Sequence, residues 1–393
     1  MRPRLGGVFW WLWAGSLLSA LAMFVAPFLA MYLTWRGLRP SHVGLVASCY
    51  GLGALLAGPA AGALADALGR RRTLLVALTA AAGSAAVLAF VRHPLAIAGT
   101  VLAFGGAMSA GRAPMRAIVG DVVPPGSVSR AFGWIYWAEN LGASFSFAVG
   151  GLLAAHGWAL PFLVDAATTL AFAAVVLLRI PETRPAAAAS AGEAGGYRIV
   201  LRDRTLLALL GLVLLVDLVY TQSMVALPVQ MARQGYSPAT YGAIGSVSAL
   251  LVVVLQPFSA RALEPLAPAR ALFWGGLLIA LGVGAYALCQ TAWQLGAATA
   301  LWTLGEIVFF AISATVVSGL APPHARGRYM AAYGLCLSLG AIAAPAIGPA
   351  VLEGLGPRAL WLASLALGCC ASAGFLSWGR RRGAAVRATV APG

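Results

Sequence analysis

The chain has 393 residues, of which 61% are hydrophobic and 9% charged, with mean hydropathy +0.88 and a formal net charge of +15. A soluble domain carries about 25% charged residues, so this composition excludes one and indicates a polytopic membrane protein. A basic excess of this size would suggest nucleic acid in a soluble chain, but here every base is arginine and the arginines cluster in the connections between apolar runs, so nucleic acid is not expected as a partner.

Windows of about 20 apolar residues give twelve expected spans. The first, 8 to 32, follows MRPRLGG and is too long for the apolar region of a signal peptide, so it reads as an uncleaved span. Spans 2 and 3, 42 to 64 and 73 to 91, are joined by Gly62 to Thr73, GALADALGRRRT, which holds one acid and three consecutive arginines and must sit in water. At this connector the chain resembles the major facilitator superfamily of transporters, whose signature between spans 2 and 3 is matched by Gly62, Asp66, Gly69, Arg70 and Arg71. The base that usually follows the acid is replaced by Ala67. The resemblance implies an all-α protein of two six-helix bundles that exposes one central site alternately to the two sides of the membrane.

Spans 4 to 6 are expected at 95 to 117, 131 to 155 and 158 to 179. The stretch 180 to 204, rich in Pro, Ala and Gly, reads as a linker. Spans 7 to 12 follow at 205 to 230, 238 to 260, 271 to 290, 293 to 318, 328 to 352 and 357 to 378. The expected organisation is therefore an N-terminal bundle 1–179, the linker, a C-terminal bundle 205–379 and a tail 380–393. Shifted by 198 residues, the chain aligns with itself: Pro40 meets Pro238, Pro59 meets Pro257, Pro124 meets Pro322 and Pro125 meets Pro323, four proline pairs where chance gives about 0.4. Gly142 with Gly340 and Gly150 with Gly348 keep the same register. Each half has an even number of spans, so the repeats are parallel about the membrane normal. With the N-terminus placed inside, 21 of the arginines fall on the cytoplasmic side and 5 outside, which puts both termini in the cytoplasm of a cell (inner) membrane protein.

The five cysteines lie in apolar spans without CxxC spacing, and no P-loop, GxSxG or HExxH occurs, so neither an enzyme, a metal site nor a cofactor is expected. Four acids fall within spans: Glu139, Asp165, Asp217 and Glu306. Asp217 is twelve residues into span 7, about 18 Å deep at 1.5 Å per residue, near the middle of a ~30 Å core. Glu306 is similarly deep, Asp165 nearer the outer side and Glu139 nearer the inner. A carboxylate at span centre costs about 2.5 to 3.5 kcal/mol, so each needs a cavity or a partner, and desolvation favours the neutral form that a proton-carrying group must visit.

Helical spacing places Asp217, Tyr220, Thr221 and Met224 on one stripe of span 7, and Trp302, Glu306, Phe309, Phe310 and Ser313 on one of span 10. Tyr136, Glu139 and Asn140, the sole asparagine, cluster on span 5, and Ser16, Ser19, Met23 and Pro27 on span 1. Such stripes are more often packing than ligand contacts. The family resemblance changes that weighting, because spans 1, 4, 7 and 10 line the central cavity in major facilitators. Arg112 and Arg116 lie near the inner end of span 4, and the resemblance makes Asp121 the acid that joins the signature charge network and Arg130, with its repeat mate Arg328, a gate partner. Two features of proton-coupled members are missing: no arginine stands near Val101, and Ser146-Phe147 replaces the Gly-Pro of the span 5 exporter motif. The expected function is proton-coupled export of an amphipathic small molecule by a monomer in the lipid bilayer. Solute uptake on the same fold is the second reading, and a non-transporting receptor or assembly subunit the third.

Overall fold

The computed structural model describes residues 5–183, 198–263, 266–322 and 325–390. The side chains of Gly62 and Asp66, the residue Glu264 and the linker residues 184–197 lie outside that description. Among the described residues the chain is helical throughout, without strands: α1 (Gly7–Leu21), α2 (Val25–Trp35), α3 (Pro40–Leu68), α4 (Arg70–Phe90), α5 (Pro94–Val122), α6 (Val128–His156), α7 (Ala159–Arg179), the short α8 (Arg198–Arg202), α9 (Arg204–Arg233), α10 (Pro238–Leu263), α11 (Pro268–Ala285), α12 (Ala292–Leu320) and α13 (Arg326–Val390). Their outer faces are apolar: Leu56, Val76, Phe90, Leu95, Leu178 and Leu288 are each more than 60% exposed. So much exposed apolar surface suits lipid and would aggregate a soluble protein.

Ten helices among the described residues are long and apolar enough to cross a membrane. The expectation was twelve. Expected spans 11 and 12 are two helices that meet at a kink at Gly356 (φ 83°), just before Pro357, within the single stretch Arg326–Arg381. Expected span 5 is the 29-residue helix α6, but Arg130, Glu139, Asn140 and His156 lower its hydropathy and it is not among the ten. Three further boundaries differ. Span 1 is broken in two at residues 22–24, part of the linker folds as α8, and the tail expected from 380 continues as helix to Val390.

Close contacts divide the chain into two compact units, Met1–Ser190 with Pro228–Val253, and Ala191–Leu227 with Val254–Gly393. In the first unit α3 packs on α5, α4 on α5 and α7, and α1 on α6 and α7. Its core is an apolar cluster that includes Phe9, Leu12, Leu74, Ile118, Ile135 and Phe172. The start of α10 belongs to this unit, where Tyr241 meets Phe28 edge-on at 5.4 Å and Ser246 Oγ donates to Ser144 O at 3.3 Å. In the second unit α11 packs on α12 and α13.

The 198-residue register recurs in the backbone. The helices begin at Pro40 and Pro238, Pro94 and Ala292, and Val128 and Arg326. Gly37 and Gly235 have φ of 81° and 80°, and each ends its helix with the same hydrogen-bond pattern: Leu38 N to Leu33 O at 3.2 Å, and Tyr236 N to Met231 O at 3.0 Å. This is a left-handed C-terminal cap, which glycine enters without the Cβ clash that other residues meet. The paired span glycines also do equivalent work. Gly142 backs onto Ala20 and Leu21, and Gly150 onto Phe24 and Phe28; Gly340 backs onto Asp217, and Gly348 onto Gln222. Phe24 and Gln222 are themselves 198 residues apart.

Candidate functional site

In the second unit Glu306 lies on α12 and Tyr220 on α9, and the Tyr220 hydroxyl donates to Glu306 Oε1 at 2.8 Å. Two aromatic rings wall this pair: Tyr220 meets Trp302 at 5.4 Å and Phe310 at 5.1 Å, both edge-on. Phe310 and Glu306 are partly accessible, while Trp302 and Phe309 are buried. Trp302 turns its indole N–H into the core, donating to Tyr286 Oη at 2.7 Å, and the same hydroxyl shares a hydrogen bond of 2.7 Å with Thr299 Oγ1. Trp302 is thus fixed from behind through its indole N–H while its ring meets Tyr220. The Tyr286 and Thr299 partners were absent from the sequence reading. Their signal, a buried tyrosine near a span end, is too common to single out.

Asp217, on the same helix as Tyr220, has different surroundings. Its carboxylate is buried and lies against the backbone of Gly340, with Tyr333 and Cys336 of α13 within electrostatic range. The Tyr333 hydroxyl is 2.9 Å from Ser313 Oγ on α12. Among the described residues no hydrogen bond or ion pair joins Asp217 to Glu306: Glu306 bonds to Tyr220, and Asp217 lies against Gly340.

In the first unit Glu139 is exposed on α6 and faces two exposed arginines of α5, Arg112 and Arg116, within electrostatic range. Tyr136 on the same helix is 48% exposed, and Asn140 Nδ2 donates to Tyr136 O at 2.8 Å, which is a bond inside its own helix. The fourth acid, Asp165, is 4% exposed and accepts two backbone N–H groups at the break between α1 and α2.

The signature connector is a tight turn between α3 and α4. Gly69 (φ 101°) ends one helix and begins the next, a conformation that disfavours any side chain, and a Cβ there would come within 2.5 Å of the Glu182 carboxylate. Arg70 forms an ion pair with Asp121 at the end of α5. Arg71 Nε donates to Val176 O at 3.3 Å and its Nη2 donates to Leu177 O, while Arg71 N donates to Glu182 Oε1 at 3.2 Å. Each helix end therefore completes the other: the guanidinium satisfies carbonyls at the C-terminus of α7, and the carboxylate satisfies an N–H at the N-terminus of α4. Glu182 falls in the stretch 180 to 204 that reads as a linker from the sequence. Arg130 lies one turn into α6, its Nη2 donating to Ser127 Oγ at 3.4 Å.

A surface hollow of about 450 Å³ lies between α4 and α5 and is lined by small residues such as Gly83, Ser84, Gly99 and Thr100. It carries no ionisable group and is remote in character from the acids above.

The Major Facilitator Superfamily model matches this chain twice, over residues 12–229 and 212–391. The chain belongs to that superfamily. It is a multi-pass membrane transporter of the superfamily, not a member of an enzyme class. An uncharacterized transporter of this superfamily from Bacillus subtilis (strain 168), YhjO, is 27% identical over 355 residues, covering 89% of this chain and 87% of that one. The quinolone resistance protein NorA of Staphylococcus aureus (strain MRSA252) is 30% identical over 162 residues, 40% of this chain and 41% of that one. Among solved structures, the nucleoside transporter NupG has a TM-score of 0.83 at 14% identity, covering 95% of this chain and all of that one. A bacterial homologue of the lysosomal transporter Spinster has a TM-score of 0.78 at 16% identity, covering 97% and 98%. At these identities the structural likeness establishes the fold.

Proposed function

We propose that this superfamily transporter exports an amphipathic small molecule in exchange for protons, by alternating access of two six-span bundles, 1–179 and 205–379. In this reading it is a monomer of the cell (inner) membrane with both termini in the cytoplasm, as the arginine bias supports. The observation that carries the reading is the Tyr220–Glu306 hydrogen bond inside the wall of Trp302 and Phe310. An acid held among aromatic rings near span centre can exchange a proton and meet the charged end of an amphipathic ligand while the rings take its apolar part. Asp217 is the second proton-exchanging acid and Glu139, opposite Arg112 and Arg116, the third candidate. The similarity to a quinolone resistance protein over part of the chain supports export.

The test is flux in proteoliposomes holding the purified protein, screened against a broad library of amphipathic compounds under imposed pH gradients. Export by proton exchange predicts substrate accumulation against an opposed proton flow. Accumulation in the same direction as protons would replace it with the uptake reading, and no flux for any compound would favour a non-transporting receptor or assembly subunit.

A further inference from the structure

The first span does not cross the membrane as one helix. Pro27 is the third residue of α2, and a proline ring collides with the carbonyl four residues back, here Met23. The helix accordingly stops at Leu21 and tightens, with Ala22 N donating to Ser19 O and Met23 N to Ala20 O, both at 3.3 Å, before α2 starts at Val25. A break near the centre of a span strands backbone N–H groups where no water can satisfy them. Asp165 on α7 supplies an acceptor there. Its Oδ2 accepts from Val25 N at 3.1 Å and from Phe24 N at 2.9 Å, the latter N–H shared with Ala22 O at 2.9 Å, and Thr169 Oγ1 donates to its Oδ1 at 3.4 Å. Nothing equivalent occurs one repeat later: α9 runs unbroken through residues 220–222, and the position matching Asp165 is Ala363.

Aromatic contacts hold both sides of the break. On α1, Trp10 and Trp13 pack on Trp134 and Trp137 of α6, with ring centroids 6.0 and 6.4 Å apart. On α2, Tyr32 packs edge-on against Phe162 of α7 at 5.0 Å. We infer that Asp165 is a positioning residue: by capping α2 across the break it fixes the direction in which the two halves of the first span leave residues 22–24. This goes beyond the export reading and does not depend on the direction of transport.

Spin labels at residues 11 and 35, both exposed in the protein, in a background whose five cysteines are replaced, report the angle directly. A straight helix would separate these positions by about 36 Å along its axis, and a bend shortens that. In detergent or nanodiscs, double electron–electron resonance should give a narrow distribution in the otherwise native protein. Asp165→Asn, which keeps an acceptor at the same place, should leave it narrow, whereas Asp165→Leu should broaden it or shift its mean by several ångströms. If the leucine variant is not recovered folded, Asp165→Ser takes its place, because its hydroxyl falls one bond short of the break. Identical distributions in all variants would overturn the inference, and so would broadening in the asparagine variant, which retains the cap. Because this readout needs no substrate, a failed export assay leaves it standing, and its failure leaves the export reading intact.

Discussion

Glu306 and Asp217 show how one residue type takes different roles from different neighbours. Glu306 is hydrogen-bonded to Tyr220 and partly accessible, whereas Asp217 is pressed against the Gly340 backbone beside Tyr333 and Cys336. Removing the hydroxyl by Tyr220→Phe deletes one hydrogen bond to a carboxyl, worth about 1.5 to 3 kcal/mol when the acceptor is charged, and leaves the aromatic wall in place. Transport by Tyr220→Phe is therefore expected to keep its substrate range but shift its pH profile, while Glu306→Gln loses most of the pH dependence. Because the two acids sit in separate niches, Asp217→Asn combined with Glu306→Gln should show effects close to additive, within about 0.5 kcal/mol. Strong non-additivity in initial rates across pH 5 to 9 would mean that the acids meet in another state of the cycle and titrate as a unit.

At the scale of elements, the turns decide where helices stop. Gly37 and Gly235 occupy the same left-handed cap one repeat apart. Alanine at either is expected to cost about 1 to 2 kcal/mol, the usual penalty for a Cβ in that region, with the two costs adding in the double variant. Thermal unfolding midpoints of the purified variants measure this, and an unchanged midpoint would mean that the turn relaxes freely. The α3–α4 connector has a different economy of contacts. The Arg70–Asp121 pair is partly exposed, with side chains 16% and 34% accessible, so by itself it contributes about 0 to 1 kcal/mol. Glu182 acts on a backbone N–H and packs over Gly69, where little else fits. Glu182→Gln, which preserves an acceptor, should be nearly silent in stability, and Gly69→Ala should be the more damaging change, read by the yield of folded protein after detergent extraction.

For the whole molecule, the expectation is that the arginines set orientation and that the signature loop controls the cycle. Neutralising Arg71 and Arg72 together is expected to lower correctly oriented insertion while leaving apparent substrate affinity near the native value, checked by protease protection of vesicles and by flux against concentration. Asp66→Asn is expected to impair transport more than Glu264→Gln, because the first lies in the signature and the second stands 198 residues later, where Ala260 and Ala267 replace the signature glycines. Equal flux in both variants and in the unaltered protein would remove Asp66 from the gating role.

Composition, the Gly62–Arg71 signature and the 198-residue register were enough to give an all-helical membrane transporter with a repeated architecture, because hydropathy over 20 residues and fixed turn glycines are properties of local sequence. The helix starts and the Gly37 and Gly235 caps follow that register to the residue. What a residue meets across the bundle is not local. Asp165 and Glu306 are both acids inside spans, and periodicity gives no way to tell them apart. Tertiary packing placed one over the backbone N–H groups of Phe24 and Val25 at the helix break, about 140 residues away in sequence, and the other under the hydroxyl of Tyr220. In an apolar interior every polar group must find a partner, and which partner it finds is decided only when the helices come together.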